Sequence, residues 1–252
     1  MLISKKPSIK QIFNSYFEVR MLKILLLGAI SGFPWVLIGS SLSLWLKEEG
    51  LSRSTIGWAG LIFAVYAFNY LWAPLIDRLK IPFLTKKVGH RKSWIILMQS
   101  IIILSLIIWS LVDPKTNLMF IIFIGLIIAI SSASQDITID ALRIEQIKTN
   151  ETYSMAAGAS IAVVGWWSGY KLGGLLALLL SDFLQKSGHD NYWQITFLFL
   201  GFVIVLFNLG LLFIKENDFK SKNSKHLKLD KEFEIKLKSQ SLFSEFLSSI
   251  KI

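Results

Sequence analysis

The sequence predicts an all-α membrane protein with six transmembrane helices. Of its 252 residues, 53% are hydrophobic and only 17% are charged, whereas soluble domains carry about 25% charged residues. The charged residues are clustered between long apolar runs. The formal net charge is +10, and the lysines flank the apolar runs, as the positive-inside rule describes for membrane proteins. The charge therefore indicates membrane topology, and we expect no nucleic-acid partner.

The absence of cysteine and the scattered positions of the histidines exclude several kinds of site. The chain has no cysteine, which excludes disulfides, thiolate metal sites and cysteine nucleophiles. The three histidines fall in predicted loops or in the tail: His90, His189 and His226. We expect neither a metal site nor a cofactor.

The spans follow from the length of each apolar run. Crossing about 30 Å of hydrocarbon takes about 20 helical residues. Residues 1–20 precede the first run and carry an amphipathic stripe at helical spacing, formed by Ile9, Ile12, Phe13, Tyr16 and Phe17. The predicted spans of a bundle over residues 21–215 are Leu22–Leu46, Thr55–Ile76, Trp94–Val112, Leu118–Asp136, Tyr153–Leu180 and Trp193–Ile214. Residues 216–252 are predicted to be a polar linker with an amphipathic end made by Leu242, Phe243, Phe246, Leu247 and Ile250.

Basic residues set the predicted orientation. The two termini and the even-numbered connections hold 22 Lys and Arg residues, and the opposite connections hold 4. The side with more basic residues is the cytoplasm. Both termini are therefore predicted to be cytoplasmic. Tryptophans near the predicted span ends, such as Trp45, Trp109 and Trp193, are expected to be interfacial anchors.

The fourth span carries a stripe of charged residues. Asp136, Asp140 and Arg143 share one helical face, because positions three and four apart are neighbours, and Glu145 falls off that face. A charged residue in a span is costly unless it faces protein or water. Asp136 is predicted to bind a proton or substrate, and Asp140 with Arg143 is predicted to form a cytoplasmic gate or latch.

Small residues indicate where helices approach closely. The first span contains Gly28, Gly32 and Pro34, and the fifth contains Gly158, Gly165, Gly169 and Gly173. Such stripes are typical of tight helix packing, and a sliding gate helix is the alternative. The connection after the second span contains Asp77, Arg78, Arg91 and Lys92, which form either a charge network at the cytoplasmic gate or an ordinary basic loop.

Several motifs together resemble a known family. Gly32-Phe-Pro34, Leu71-Trp-Ala-Pro-Leu-Ile-Asp77-Arg78, Ser132-Ala-Ser-Gln-Asp136-Ile-Thr-Ile-Asp140 and Gly169-Tyr-Lys171-Leu-Gly173 occur in this order. They resemble the AmpG muropeptide permeases, a branch of the major facilitator superfamily. The resemblance implies one six-helix half of that fold, and the short length suggests a truncated or half-length form.

The resemblance also implies an activity and a set of site residues. The implied activity is proton-coupled import of anhydro-muropeptides through the bacterial inner membrane, in peptidoglycan recycling. Gln135, Trp166, Tyr170 and Lys171 join Asp136 on the implied substrate or proton pathway. Lys171 stands where the family usually has arginine, and it either receives a substrate carboxylate or extends to the outer headgroups beside Trp167.

Other functions remain open from the sequence. The chain is either a transporter half or a non-transporting remnant, or a half-subunit that needs a second polypeptide or a second copy of itself. Another anionic solute, such as acetyl-CoA, is an alternative substrate. An enzyme is not expected, because no nucleophile–base, metal-ligand or phosphate-loop group accompanies the acids. The expected partners are a small-molecule substrate, protons and the lipid bilayer.

Overall fold

The computed structural model describes residues 9–147 and 151–216, and their side chains from residue 13 onward. Every regular element in this part of the chain is a helix. A short helix, Ile9–Tyr16, precedes the bundle and exposes Phe13 beside Phe17, with 5.1 Å between the ring centroids. The predicted amphipathic stripe of the tail lies outside the described residues.

Six helical segments are long and apolar enough to cross a membrane. They are Val19–Glu48, Arg53–Leu71, His90–Trp109, Leu118–Glu145, Thr152–Lys186 and Tyr192–Leu212, which we call the first to sixth spans. The end of the bundle where the first span begins is called the N-terminal end. Glu48 lies at the opposite end. The predicted six-span fold is confirmed, with corrections to several span limits.

The first span contains one stretch of a different helix type. It is α-helical over Val19–Val36, π-helical over Leu37–Ser41 and α-helical again over Leu42–Glu48. The buried Pro34 precedes the π-helical stretch. Proline removes one backbone donor from the helix, and the π-helical stretch follows directly after this irregular turn.

The second span is not the continuous helix Thr55–Ile76 that the sequence predicts. It consists of Arg53–Ala59, a 3₁₀ turn at Gly60–Ala64, Val65–Phe68, a 3₁₀ turn at Asn69–Leu71 and, after Trp72, a last helix at Ala73–Arg78. Pro74 begins that last helix, and a proline disfavours the α conformation just before it. Only 11% of the most apolar window of this span is buried, against 61% in the first span.

The ends of the third and fourth spans differ from the prediction. The fourth helix was expected to stop at Asp136, but it continues nine residues to Glu145. Ile139 and Leu142 in this extension are buried in the core, and no glycine or proline interrupts it. The third span begins at His90 rather than Trp94. His90, Arg91 and Lys92 therefore lie in a helical turn and not in a loop.

The first and fifth spans touch backbone to backbone. A Cβ atom at Gly32 would lie 2.8 Å from the carbonyl carbon of Trp166, and one at Gly165 would lie 3.1 Å from the Cα atom of Gly28. Gly169 approaches the backbone of Ala29 in the same way. Small residues permit this approach in a membrane, where packing rather than water exclusion holds helices together.

The other two glycines of the fifth-span stripe face side chains. A Cβ atom at Gly173 would lie 3.0 Å from the ring of Phe33. One at Gly158 would lie 3.3 Å from Ile24. Gly165, Gly169 and Gly173 therefore face the first span, whereas Gly158 lies against Ile147 as well as Ile24. All four glycines are buried.

An aromatic core holds the opposite end of the bundle. Trp45, Trp109 and Trp193 are fully buried and surround Phe197, with ring centroids 5.0 to 5.7 Å from its ring. The prediction that these tryptophans are interfacial anchors is wrong, because their rings fill the space between the first, third and sixth spans. Glu48 accepts hydrogen bonds from the Trp193 indole (2.6 Å) and the Tyr192 hydroxyl (3.1 Å).

Candidate functional site

A cleft of about 280 Å³ opens between the first, fourth and fifth spans. The fourth span contributes the predicted charged stripe, and the fifth span contributes Trp166 and small side chains on the facing wall. The floor is made by Gly28 and Ser31 of the first span. The full lining is Gly28, Ser31, Asp136, Ile139, Asp140, Arg143, Ala159, Ala162, Val163 and Trp166. The cleft thus brings together residues that the sequence analysis assigned to two functions, pathway and gate.

Asp136 is the half-buried acid of the cleft. Its carboxylate accepts a 2.7 Å hydrogen bond from the hydroxyl of Ser31. The indole N–H of Trp35 lies beside it but makes no hydrogen bond of normal geometry within the described residues. No basic side chain pairs with Asp136 in this part of the chain. The carboxyl group is therefore held by a hydroxyl and not by an ion pair.

Unpaired polar atoms surround Asp136. The Tyr66 hydroxyl is close to Asp136 and Ser132. Three buried atoms near this carboxyl group have no hydrogen-bond partner of normal geometry among the described residues: Trp35 Nε1, Tyr66 OH and Ser132 Oγ. Buried polar atoms normally have partners. This region can therefore take additional hydrogen-bonding groups.

Aromatic rings from three spans pack beside these polar groups. The Trp35 ring lies 4.4 Å from Tyr66, 5.1 Å from Phe63 and 5.4 Å from Trp166, measured between centroids. Trp166 in turn stacks on Tyr170 at 5.6 Å with nearly parallel planes. Trp35 joins the first, second and fifth spans at the level of Asp136.

Two other predicted pathway residues lie apart from the cleft. Gln135 is fully buried, and its amide donates a 2.9 Å hydrogen bond to the Ile30 carbonyl, so it ties the fourth span to the first. Lys171 is exposed on the fifth span, with its ammonium 5.9 Å from the centre of the Trp167 ring. Lys171 makes no ion pair among the described residues.

The predicted gate residues divide into two groups. Arg143 pairs with Asp140 at 3.1 Å along the cleft. Separately, at the N-terminal end of the bundle, Arg91 binds Glu145 at 2.9 Å and Asp77 at 3.2 Å. Arg91 therefore connects the second, third and fourth spans.

The remaining predicted gate residues make different contacts. Glu216 accepts the backbone N–H groups of Arg91 (2.8 Å) and Lys92 (3.0 Å), which caps the first turn of the third span. Arg78 is exposed and makes no ion pair among the described residues.

At the opposite end of the bundle, Glu49 binds Lys115 at 3.0 Å, and this hydrogen bond raises the pKa of Lys115.

Sequence reasoning missed several of these contacts. Ser31 follows Gly28 by three positions and so shares its face, which was an available signal. The sequence analysis placed Glu145 off the charged stripe of the fourth span. Its side chain is nevertheless only 7% exposed, and from another face of that helix it binds Arg91 of the third span. Tyr66 and Glu216 carried no local signal, because their partners are far away in the sequence.

Comparisons with known proteins agree with this architecture. Residues 24–250 match the family model of the Major Facilitator Superfamily. The protein named AmpG 4 of Rickettsia felis is 35% identical over 210 residues, which are 83% of this chain and 48% of that protein. The protein named AmpG 1 of Rickettsia conorii is 37% identical over 199 residues, which are 79% and 46% of the two chains.

A further relative comes from Escherichia coli K12. Its anhydromuropeptide permease is 32% identical over 195 residues, 77% of this chain and 38% of the permease. The chain thus spans about half the length or less of these relatives. Six apolar spans, the charged fourth helix and a family match over most of the sequence lead to one conclusion: the chain belongs to the Major Facilitator Superfamily.

Proposed function

We propose that this protein takes part in proton-coupled import of anhydro-muropeptides across the bacterial inner membrane, with both termini in the cytoplasm. The substrate class comes from the resemblance to muropeptide permeases and from the relative in Escherichia coli, which is named anhydromuropeptide permease. The observation that carries the proposal is the Asp136 carboxyl group. It lies half-buried at the cleft without a basic partner among the described residues.

Asp136 is suited to carry the coupled proton. It can be ionised while Ser31 donates to it, and it can be protonated without breaking an ion pair. An ionisable residue inside a span is a functional candidate because its presence there is costly. The cleft beside it would hold part of the substrate during the same cycle.

Transport also requires a second wall for the solute path. Superfamily transporters place the substrate between two six-helix bundles. The second and fifth spans are the least buried, with 11% and 22% of their apolar windows covered, and we propose that they face the second bundle. We propose that a second six-helix bundle completes the path. The Arg91, Asp77 and Glu145 group would then act as a latch on the cytoplasmic side.

Uptake into proteoliposomes tests the proposal. Vesicles containing the chain, alone or with a co-expressed second six-helix half, are given a labelled anhydro-muropeptide and an imposed pH gradient. We expect gradient-driven accumulation in the second preparation. The Asp136→Asn variant should lose it, because an amide cannot exchange the proton, whereas Asp113→Asn in an exposed connection serves as a matched control.

The outcomes separate the alternatives. Accumulation by the chain alone would show that no second bundle is needed. No accumulation in either preparation would support the non-transporting remnant. Normal accumulation by Asp136→Asn would assign this acid a structural role and remove the main support for the proposal.

A further inference from the structure

The cleft is an elongated groove with different chemistry at its two ends. Along the fourth span, Asp136 and Arg143 are seven residues apart, which is about 10 Å at 1.5 Å per residue. The facing wall runs over the same number of residues, from Ala159 to Trp166. Asp136 therefore lies at one end of the groove, and the Arg143 guanidinium with its partner Asp140 lies at the other.

Arg143 has unused hydrogen-bonding capacity at this groove. One terminal nitrogen binds Asp140 at 3.1 Å, whereas Nε is buried and has no partner among the described residues. Asp140 also lines the groove and is 69% exposed, and exposed ion pairs are weak. A guanidinium has five donors in a planar fork that fits a carboxylate with two parallel hydrogen bonds.

The rest of the groove suits a partly apolar ligand. Its floor at Gly28 is bare backbone, and its facing wall carries Val163 and the ring of Trp166. A ring or short chain can lie along this wall while a polar group reaches Asp136.

We propose that Arg143 binds a carboxylate of the transported solute, and that the solute extends from there along Trp166 toward Asp136. This inference rests on the proposed function and assigns one subsite within it. It replaces Lys171 as the carboxylate-binding residue, because Lys171 does not line the groove and its ammonium lies over the Trp167 ring. Asp140 then competes with the solute carboxylate for the guanidinium.

Binding to the purified full chain in nanodiscs tests this assignment by isothermal titration calorimetry. The two probes are an anhydro-muramyl tripeptide and the same compound with its carboxylates converted to carboxamides. We expect the wild-type protein to prefer the acid about tenfold, the usual size of a charge-assisted hydrogen bond. Arg143→Gln should bind both probes equally, and Arg143→Lys should keep part of the preference.

Two more variants keep the test interpretable. Asp140→Asn removes the competing carboxylate and should increase the preference for the acid, whereas an unchanged preference would show that Asp140 does not compete for Arg143. Arg53→Gln changes an exposed arginine at the opposite end of the bundle and should behave as the wild type. Circular dichroism and size-exclusion profiles establish that each variant is folded.

Each failure points to a different error. If the wild-type protein binds neither probe, alone or with the co-expressed second six-helix half, the proposed function and this inference both fall. If it binds both probes equally, the anionic subsite is absent, while muropeptide transport remains possible. If Arg143→Gln keeps the tenfold preference, or if Lys171→Gln loses it instead, Arg143 is not the carboxylate-binding residue.

Discussion

Replacing Gly32 by alanine should measure how tightly the first and fifth spans are packed. The added Cβ atom would lie 2.8 Å from the carbonyl carbon of Trp166, and an ordinary contact begins at 3.4 Å. The two backbones must therefore move apart by at least 0.6 Å at this point. Neither backbone can rotate away as a side chain can.

The expected cost has two parts with opposite signs. Overpacking a close contact costs about 1–3 kcal/mol. Replacing glycine by alanine within a helix favours the folded state by about 1 kcal/mol. Gly174→Ala in the fifth span provides the control, because nothing lies within 4 Å of its added Cβ atom. The difference between the two variants isolates the steric cost.

Unfolding by sodium dodecyl sulfate in mixed micelles is a suitable assay, because the nine tryptophans report the transition through their fluorescence. We expect Gly32→Ala to be less stable than Gly174→Ala by about 1–3 kcal/mol. A difference below about 0.5 kcal/mol would refute the reasoning, since it would mean that the two spans can move apart without loss of folding stability.

Two further predictions concern charged side chains at the ends of the bundle. Glu145→Gln should destabilise the folded protein by about 1–3 kcal/mol, because the Glu145 side chain is 7% exposed and bonded to Arg91. Asp77→Asn, whose side chain is 56% exposed, should cost less than about 1 kcal/mol, and equal costs in the same detergent titration would contradict this ranking. Trp193→Phe should cost about 1–3 kcal/mol, because it removes the indole donor to Glu48 and part of a buried ring, and an unchanged unfolding midpoint would show that this hydrogen bond contributes nothing net.

Periodicity and hydropathy were sufficient for the parts of the molecule that depend on one helix at a time. The six spans follow from apolar length. The placement of Asp136, Asp140 and Arg143 along one cleft follows from spacings of four and three residues. The helix limit was wrong after Asp136 because charged residues were taken as a span end. A helix can continue beyond the hydrocarbon when residues such as Leu142 remain buried in protein.

Contacts between helices could not be predicted in the same way. The hydroxyl of Ser31 reaches Asp136 across 105 residues of sequence, and the carboxylate of Glu216 reaches the third span across more than 120. The spacing of Ser31 from Gly28 indicates which face of the first span it occupies, but it does not identify Asp136 as its partner. The assignment of Trp45 to an interface failed for the same reason, because burial by another span is a tertiary property.

Gly28, which lines the cleft without a side chain, restricts how the solute specificity of the cleft can change. Gly28 lines the cleft and also meets the backbone of Ala162 in the fifth span. No smaller residue exists, so bulkier solutes cannot be admitted by trimming this side. Broadened selectivity would have to arise at Trp166 or Val163. A methyl group added at Gly28 would change the width of the entrance and the spacing of the two helices together, so solute preference and membrane-protein yield should vary as one trait at this position.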